Sequence, residues 1–230
     1  MKNQLTVETI CNGNWPQLIC FDLDGTLVDS APSITYAIDS SLKEFGIKPA
    51  GLNQVRHWIG LGSSHLIKKT QEWAKLEDKN YKALYDAFLK HYQKNLVINA
   101  TLYSNVEYIL KTLSEQNIYL ALITNKPSAF VKPLMDHFGL SHYFHLMLGG
   151  DTLTEKKPSP LPITHCLDYF NVHPDNALMV GDSITDFQAA SSAGIKSALV
   201  TYGYHNNTNL EELDADLLID DLLKLITAKN

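Results

Sequence analysis

Short apolar runs that stop abruptly at polar residues constrain this chain more than any other feature. Leu18-Ile19-Cys20-Phe21 delivers Asp22-Leu23-Asp24-Gly25-Thr26, and Ala177-Leu178-Met179-Val180 delivers Gly181-Asp182, with Asp186 four residues on. Between them Leu120-Ala121-Leu122-Ile123 ends in Thr124-Asn125, and Lys157 stands just before Pro158. An open parallel sheet presents polar groups in this way along its carboxyl edge, where such folds bind ligands. Acids converging there with one lysine point to a divalent cation and a phosphate.

From about Ile98 onward, strand-like runs alternate with amphipathic helices. Ser104-Asn105-Val106-Glu107 reads as a capping box opening a helix whose stripe is Val106, Ile109, Leu110 and Leu113. Ile118–Ile123 reads as a buried strand. Pro127 suits the first turn of the next helix, with Phe130, Val131, Leu134, Met135 and Phe138 on its stripe and Gly139 as its stop. Strands are expected again at Leu146–Leu148, Ala177–Val180, Ser197–Val200 and Leu217–Ile219, with helices between them and a terminal helix after the last. Such alternation predicts an α/β fold with a doubly wound, Rossmann-like parallel sheet. Residues 30–99 break the pattern. They hold no convincing strand but show helical stripes at Ile34, Ile38, Leu42 and Phe45, then at Leu84, Phe88 and Tyr92. The expectation is a core made of residues 1–29 and 100–230, with residues 30–99 an all-helical insertion after the first strand.

Composition narrows the partners. Of 230 residues, 45% are hydrophobic and 19% charged, which is ample for a globular core. A net charge of −6, with only the pairs Lys68-Lys69 and Lys156-Lys157 as basic clusters, speaks against nucleic acid. No window approaches the roughly 20 apolar residues of a membrane span. The first sixteen residues lack a basic start followed by a long apolar stretch. Cys11, Cys20 and Cys166 show no CxxC spacing, and a thiol inside a strand run such as Cys20 suits a reducing compartment. A cytoplasmic protein is expected.

Asp22 and Asp24 stand at i and i+2, so in an extended segment both side chains point the same way. Two close carboxylates repel, and a proton or a cation relieves this. Oxygen donors without nearby His or Cys favour Mg²⁺, and Asp182 is the obvious further ligand. A single Asp after a strand also serves as a helix cap or turn residue; two strands ending this way, with Lys157, point to a site. Thr124-Asn125 fits either a strand-end turn or a pair of donors to phosphate oxygens. Lys157 supplies the fixed cation that clustered carboxylates and a phosphoryl group need. The nine histidines show no HxH or HExxH spacing.

Asp22-Leu23-Asp24-Gly25-Thr26-Leu27-Val28-Asp29-Ser30, Ile123-Thr124-Asn125-Lys126, Lys157-Pro158-Ser159-Pro160 and Gly181-Asp182-Ser183-Ile184-Thr185-Asp186 together resemble the four ordered motifs of the haloacid dehalogenase-like hydrolases. Within that superfamily, Gly149-Gly150-Asp151-Thr152 and Thr201-Tyr202-Gly203-Tyr204 are most similar to bacterial phosphoglycolate phosphatases, although Ile184-Thr185 stand where that group often has Arg-Asn. The resemblance implies a phosphoric monoester hydrolase with a mobile helical cap. Asp22 would be the nucleophile and Asp24 the acid and base. Mg²⁺ would be held by Asp22, the Asp24 carbonyl and Asp182, with Asp186 in support. Thr124, Asn125 and Lys157 would hold phosphate. Arg56, Gly60, Gly62 and Ser63 in the cap would meet the substrate; Arg56 reads equally well as a solvated helix residue. The implied substrate is a small phosphorylated metabolite, best 2-phosphoglycolate, handled by a monomer or homodimer. A phosphosugar phosphatase or mutase, or a pyrophosphatase, is the alternative on the same scaffold. A non-catalytic phosphate-binding protein would have no need of both Asp22 and Asp24.

Overall fold

The computed structural model describes residues 15–206 and 208–226. Its strands are β1 (Leu18–Phe21), β2 (Val28–Asp29), β3 (Thr101–Leu102), β4 (Tyr119–Ile123), β5 (Leu146–Leu148), β6 (Ala177–Gly181), β7 (Lys196–Val200) and β8 (Leu217–Ile219). Six of them form one parallel sheet in the order β5-β4-β1-β6-β7-β8. The helices are α1 (Ala31–Glu44), α2 (Leu52–Arg56), α3 (Ser63–Ala74), α4 (Tyr81–Asn95), α5 (Val106–Ser114), α6 (Ser128–His137), α7 (Leu161–Phe170) and α8 (Ile184–Ala193).

Strand alternation sorts the core into two layers. Ile19, Phe21, Leu120, Leu122, Leu178 and Val180 face α5 and α6, whereas Leu18, Cys20, Ala121, Ile123 and Met179 face α7 and α8. All these residues are buried. With apolar packing on both faces, no charged or amide position interrupts β1, β4 or β6 until they end. This is the doubly wound sheet expected from the sequence.

Register then sets the site. Phe21 lies level with Leu122 on β4 and Val180 on β6. Asp22, Thr124 and Asp182 therefore leave the sheet at one edge, within a residue or two of each other along the strand direction.

Between β2 and β3 the described chain is helical. The stripe Ile34, Ile38 and Leu42 of α1 packs with Leu84, Phe88 and Tyr92 of α4 in a cluster continuous with one face of the sheet. A two-stranded antiparallel ribbon, β2 against β3, ties the two ends of this segment together through Val28↔Leu102 and Asp29↔Thr101. Two-residue strands carry no readable periodicity, so the ribbon was not foreseen.

Two local expectations fail. Asn105, not Ser104, occupies the N-cap of α5, in the left-handed conformation and without a side-chain cap bond. Its amide instead donates to both Asp221 carboxylate oxygens at 3.0 Å, so a tertiary contact displaces the local capping box. The expected terminal helix is, within the described residues, one 3-10 turn at Leu222–Leu225. Cys11 lies outside the described residues; Cys20 and Cys166 are buried free thiols. Among the described residues no helix is long and apolar enough to cross a membrane.

Candidate active site

Two buried lysines flank the Asp22-Leu23-Asp24 turn, and each belongs to a different charge system. Lys157 Nζ lies 2.8 Å from Asp22 Oδ1 and 2.6 Å from Asp186 Oδ1. Lys126 Nζ grips both oxygens of Asp24, at 2.8 and 2.9 Å. The Ser30 hydroxyl donates to Asp24 Oδ1 at 2.6 Å. It stands at the N-cap of α1 without making a side-chain cap bond.

Asp182 is fixed by loops from two other strands. Thr26 Oγ1 donates to its Oδ1 at 3.1 Å, and the Tyr204 backbone N–H donates to its Oδ2 at 2.6 Å. A side chain at Gly25 (φ +97°) or Gly203 would overlap the Asp182 carboxyl, which is why glycine's bare backbone is needed on both sides of it. Asp186 does double duty. Its Oδ2 accepts from the Ser183 and Asp182 backbone N–H groups at the start of α8 while its Oδ1 faces Lys157. The helix-cap and active-site roles of this aspartate thus coexist, one per oxygen.

Asp22, Asp182 and Asp186 can bring one oxygen each within 4.8 Å of one another, all buried. Three carboxylates against one ammonium leave excess negative charge in a desolvated place. Burial pushes the Asp22 carboxyl up to about 7, with Lys157 opposing. Burial, then Asp22 and Asp186, pushes Asp182 well above the carboxylate range. Burial pushes the Lys157 ammonium down, but Asp186 and Asp22 outweigh it and the net direction is up. Hard oxygen donors with uncompensated charge fit a divalent cation such as Mg²⁺.

Thr124 and Asn125 follow β4 on the same edge, both buried. Thr124 Oγ1 accepts from the Lys126 N–H at 3.2 Å. The Asn125 amide donates to the Gly60 and Lys157 carbonyls, both at 2.9 Å, so it spans from the sheet edge to the helical segment. It is one of three such straps. Asn206 donates to the Ile59 carbonyl at 2.8 Å and Lys156 to the Leu61 carbonyl at 2.9 Å, so three successive carbonyls of one loop are held from the opposite side.

That loop closes a cavity above Asp22 and Asp24, which Thr124 and Asn125 also line. Gly60, Gly62 and Ser63 line it, together with Ile34, Leu66, Phe88 and Tyr92 from α1, α3 and α4. Arg56 does not line it. Its guanidinium pairs with Asp29 at 3.3 Å and lies over the Tyr204 ring, 5.5 Å from the centroid. Tyr204 also donates its hydroxyl to Asp29 at 2.5 Å. The residue that sequence reasoning passed over is Lys126, among the described residues the one cationic side chain lining the cavity. Its signal was present, since it follows a strand end by three residues as Asp24 does.

The family model for haloacid dehalogenase-like hydrolases matches residues 19–200. The chain belongs to that family. It is 38% identical over 223 residues to a phosphoglycolate phosphatase of Pseudomonas putida, covering 95% of this chain and 82% of the relative. It is 39% identical over 217 residues to a phosphoglycolate phosphatase of Pasteurella multocida, covering 92% and 97%. A crystal structure of a predicted phosphoglycolate phosphatase from Haemophilus somnus superposes with a TM-score of 0.87 at 39% identity, covering 90% of this chain and 94% of that one. The enzyme class expected from the motifs, a phosphoric monoester hydrolase, is the class of these relatives.

Proposed function

We propose that this hydrolase cleaves phosphomonoesters with Mg²⁺ through an aspartyl-phosphate on Asp22, and that 2-phosphoglycolate is its substrate. The observation that carries the reading is the pair of unlike carboxylates on one turn. Asp22 sits beside Lys157 in a site short of positive charge, and Asp24 stands next to it, neutralised by Lys126 and facing the cavity. The first suits a nucleophile that a dication accompanies; the second suits a group that exchanges a proton with the leaving oxygen.

Mg²⁺, held by Asp22, Asp182 and the Asp24 backbone carbonyl with Asp186 behind, would offset the charge of the phosphoryl oxygens. Lys157 and Thr124 hold the phosphoryl group in line with Asp22 Oδ. One Asp22 oxygen attacks phosphorus, and the bond to the ester oxygen breaks. Asp24, protonated from solvent before the step, delivers that proton to the departing oxygen, then takes one from the water that releases phosphate. In this reading residues 30–99 form a cap over a core of residues 1–29 and 100–230. Their straps to Asn125, Lys156 and Asn206 close the cavity to water. Buried free thiols at Cys20 and Cys166 suit the cytoplasm, where the enzyme would act as a monomer or homodimer on a small metabolite.

A panel of phosphoglycolate, sugar phosphates, nucleotides, pyrophosphate and p-nitrophenyl phosphate, each with Mg²⁺ and with EDTA, tests the assignment. The expected result is highest kcat/KM on phosphoglycolate and abolition of every activity by EDTA, restored by Mg²⁺. Preference for a sugar phosphate or pyrophosphate, or rates indifferent to EDTA, would overturn it.

A further inference from the structure

The cavity poses a recognition problem that the sheet-edge motifs do not solve. Its walls away from Asp22 and Asp24 are largely apolar, from Ile34, Leu66 and Phe88. A leaving group with an anionic end would have to desolvate that charge among them, which is costly without a partner. Among the described residues one cation lines the cavity, Lys126, whose side chain is 2% exposed. Its Nζ lies 5.0 Å from the Tyr92 ring centroid, within reach of the ring's negative face. Burial lowers the Lys126 ammonium, and the Asp24 carboxylate outweighs this and holds it charged.

A second observation is independent of the first. The Tyr92 hydroxyl is buried, belongs to a cavity-lining residue, and makes no hydrogen bond of ordinary geometry to any described residue. Buried hydroxyls are nearly always satisfied, so an orphan in a cavity wall marks a place where a ligand atom completes the set. An ammonium, which can only donate, beside a phenol whose proton is unused favours an anion that accepts from both over a neutral hydroxyl.

We propose that Lys126 and Tyr92 form the receptor for the anionic end of the leaving group, so the enzyme selects short phosphomonoesters that carry a carboxylate. This rests on the phosphatase reading above and assigns specificity to Lys126 rather than to Arg56, which is already paired with Asp29 outside the cavity. The carboxylate binds Lys126 in place of one Asp24 oxygen and accepts the Tyr92 hydroxyl proton. Asp24 is thereby freed on one side to turn to the ester oxygen. A substrate without the carboxylate leaves the Lys126–Asp24 pair closed.

The test measures binding as well as turnover, on the full-length protein with Mg²⁺. The probes are 3-phosphonopropionate, a non-hydrolysable carboxylate ligand, and propylphosphonate, its counterpart without the carboxylate. The wild type should bind the first more tightly. Lys126→Met should shrink that preference by about 10- to 100-fold, the range for losing a hydrogen bond to a charged group. Tyr92→Phe should shrink it several-fold. It removes only an unpartnered hydroxyl, so a packing role predicts no change, and it keeps the proposal testable should Lys126→Met fail to fold. In turnover, both variants should lose more kcat/KM on phosphoglycolate than on 2-hydroxyethyl phosphate, whose leaving alkoxide needs a proton equally. Parallel losses on both members of each pair would make Lys126 a mere partner of Asp24 and overturn the proposal, as would a wild type that does not discriminate. A wild type that discriminates in binding yet hydrolyses no phosphomonoester would instead contradict the phosphatase reading and leave the receptor standing.

Discussion

Lys157 and Lys126 stand on either side of Asp22-Leu23-Asp24, both buried, and their surroundings differ in one respect that explains the site. Lys157 is shared between Asp22 and Asp186, with Asp182 close by and no cation of its own. Lys126 is spent on Asp24 alone, through both oxygens. The first side is short of positive charge, and in the proposed reading it attracts a dication and a phosphoryl group. The second is neutral and can exchange partners. In the proposed reading, chemistry common to all phosphomonoesters belongs to the first side, and choice among them to the second.

Removing Lys157 breaks the first side and has the largest effect. Lys157→Met should cost about 10²–10³ in kcat on every phosphomonoester alike, the scale for losing one preorganised charge. It leaves Asp22 and Asp186 without their ammonium, so thermal unfolding in EDTA should show a loss of about 3–5 kcal/mol, partly recovered with Mg²⁺. Losses confined to carboxylate-bearing substrates would reverse the two lysines' roles.

Titration sharpens the contrast with a smaller effect. Asp22 is an acid whose folded value is raised from 3.8 to about 7. The folded site therefore holds more protons than the unfolded chain between those values, and this group makes the Mg²⁺-free protein lose stability as pH rises through that window. Mg²⁺ needs the anion, so its binding should release a proton near neutrality, with affinity falling up to about tenfold per pH unit below 7. Calorimetry in buffers of different ionisation enthalpy reads the proton directly. Equal Mg²⁺ stabilisation at about pH 5.5 and about pH 8 would contradict the assignment.

The smallest effect concerns the loop that walls the second side. Asn206→Ala removes one of three straps, worth about 0.5–1.5 kcal/mol. KM for phosphoglycolate should rise a few-fold in steady-state assays while kcat holds. A fall in kcat with KM unchanged would show that the strap serves the chemistry instead.

How much of this the sequence carried follows from the range of each interaction. The sheet was legible because a strand buried on both faces reads as an unbroken apolar run, and Asp22, Thr124 and Asp182 mark where those runs end. The ribbon of β2 and β3 was not, since two residues show no period. Ser104 was misread as a cap because Asp221, 116 positions from Asn105, decides that turn. Lys126 went unnoticed for the same reason. Its meaning lies in Asp24, 102 positions away, and in Tyr92 on α4, a pairing that only the folded chain creates. Arg56 looked suited to an anion from its guanidinium and its place beside the Gly60–Gly62 loop, but Asp29, fixed by the unforeseen ribbon, pairs with it.

The central claim is that Asp22 carries the phosphoryl group while Asp24 moves protons. Acid-quenched mass spectrometry of Asp24→Asn during turnover of p-nitrophenyl phosphate with Mg²⁺ tests it most directly, because an aryl leaving group needs little protonation and the trapped acyl phosphate should accumulate when the base for its hydrolysis is gone. The account predicts one phosphoryl group on the peptide containing Asp22, absent from Asp22→Asn. A phosphoryl group on another residue, or Asp22→Asn turning over at a near-normal rate, would contradict it.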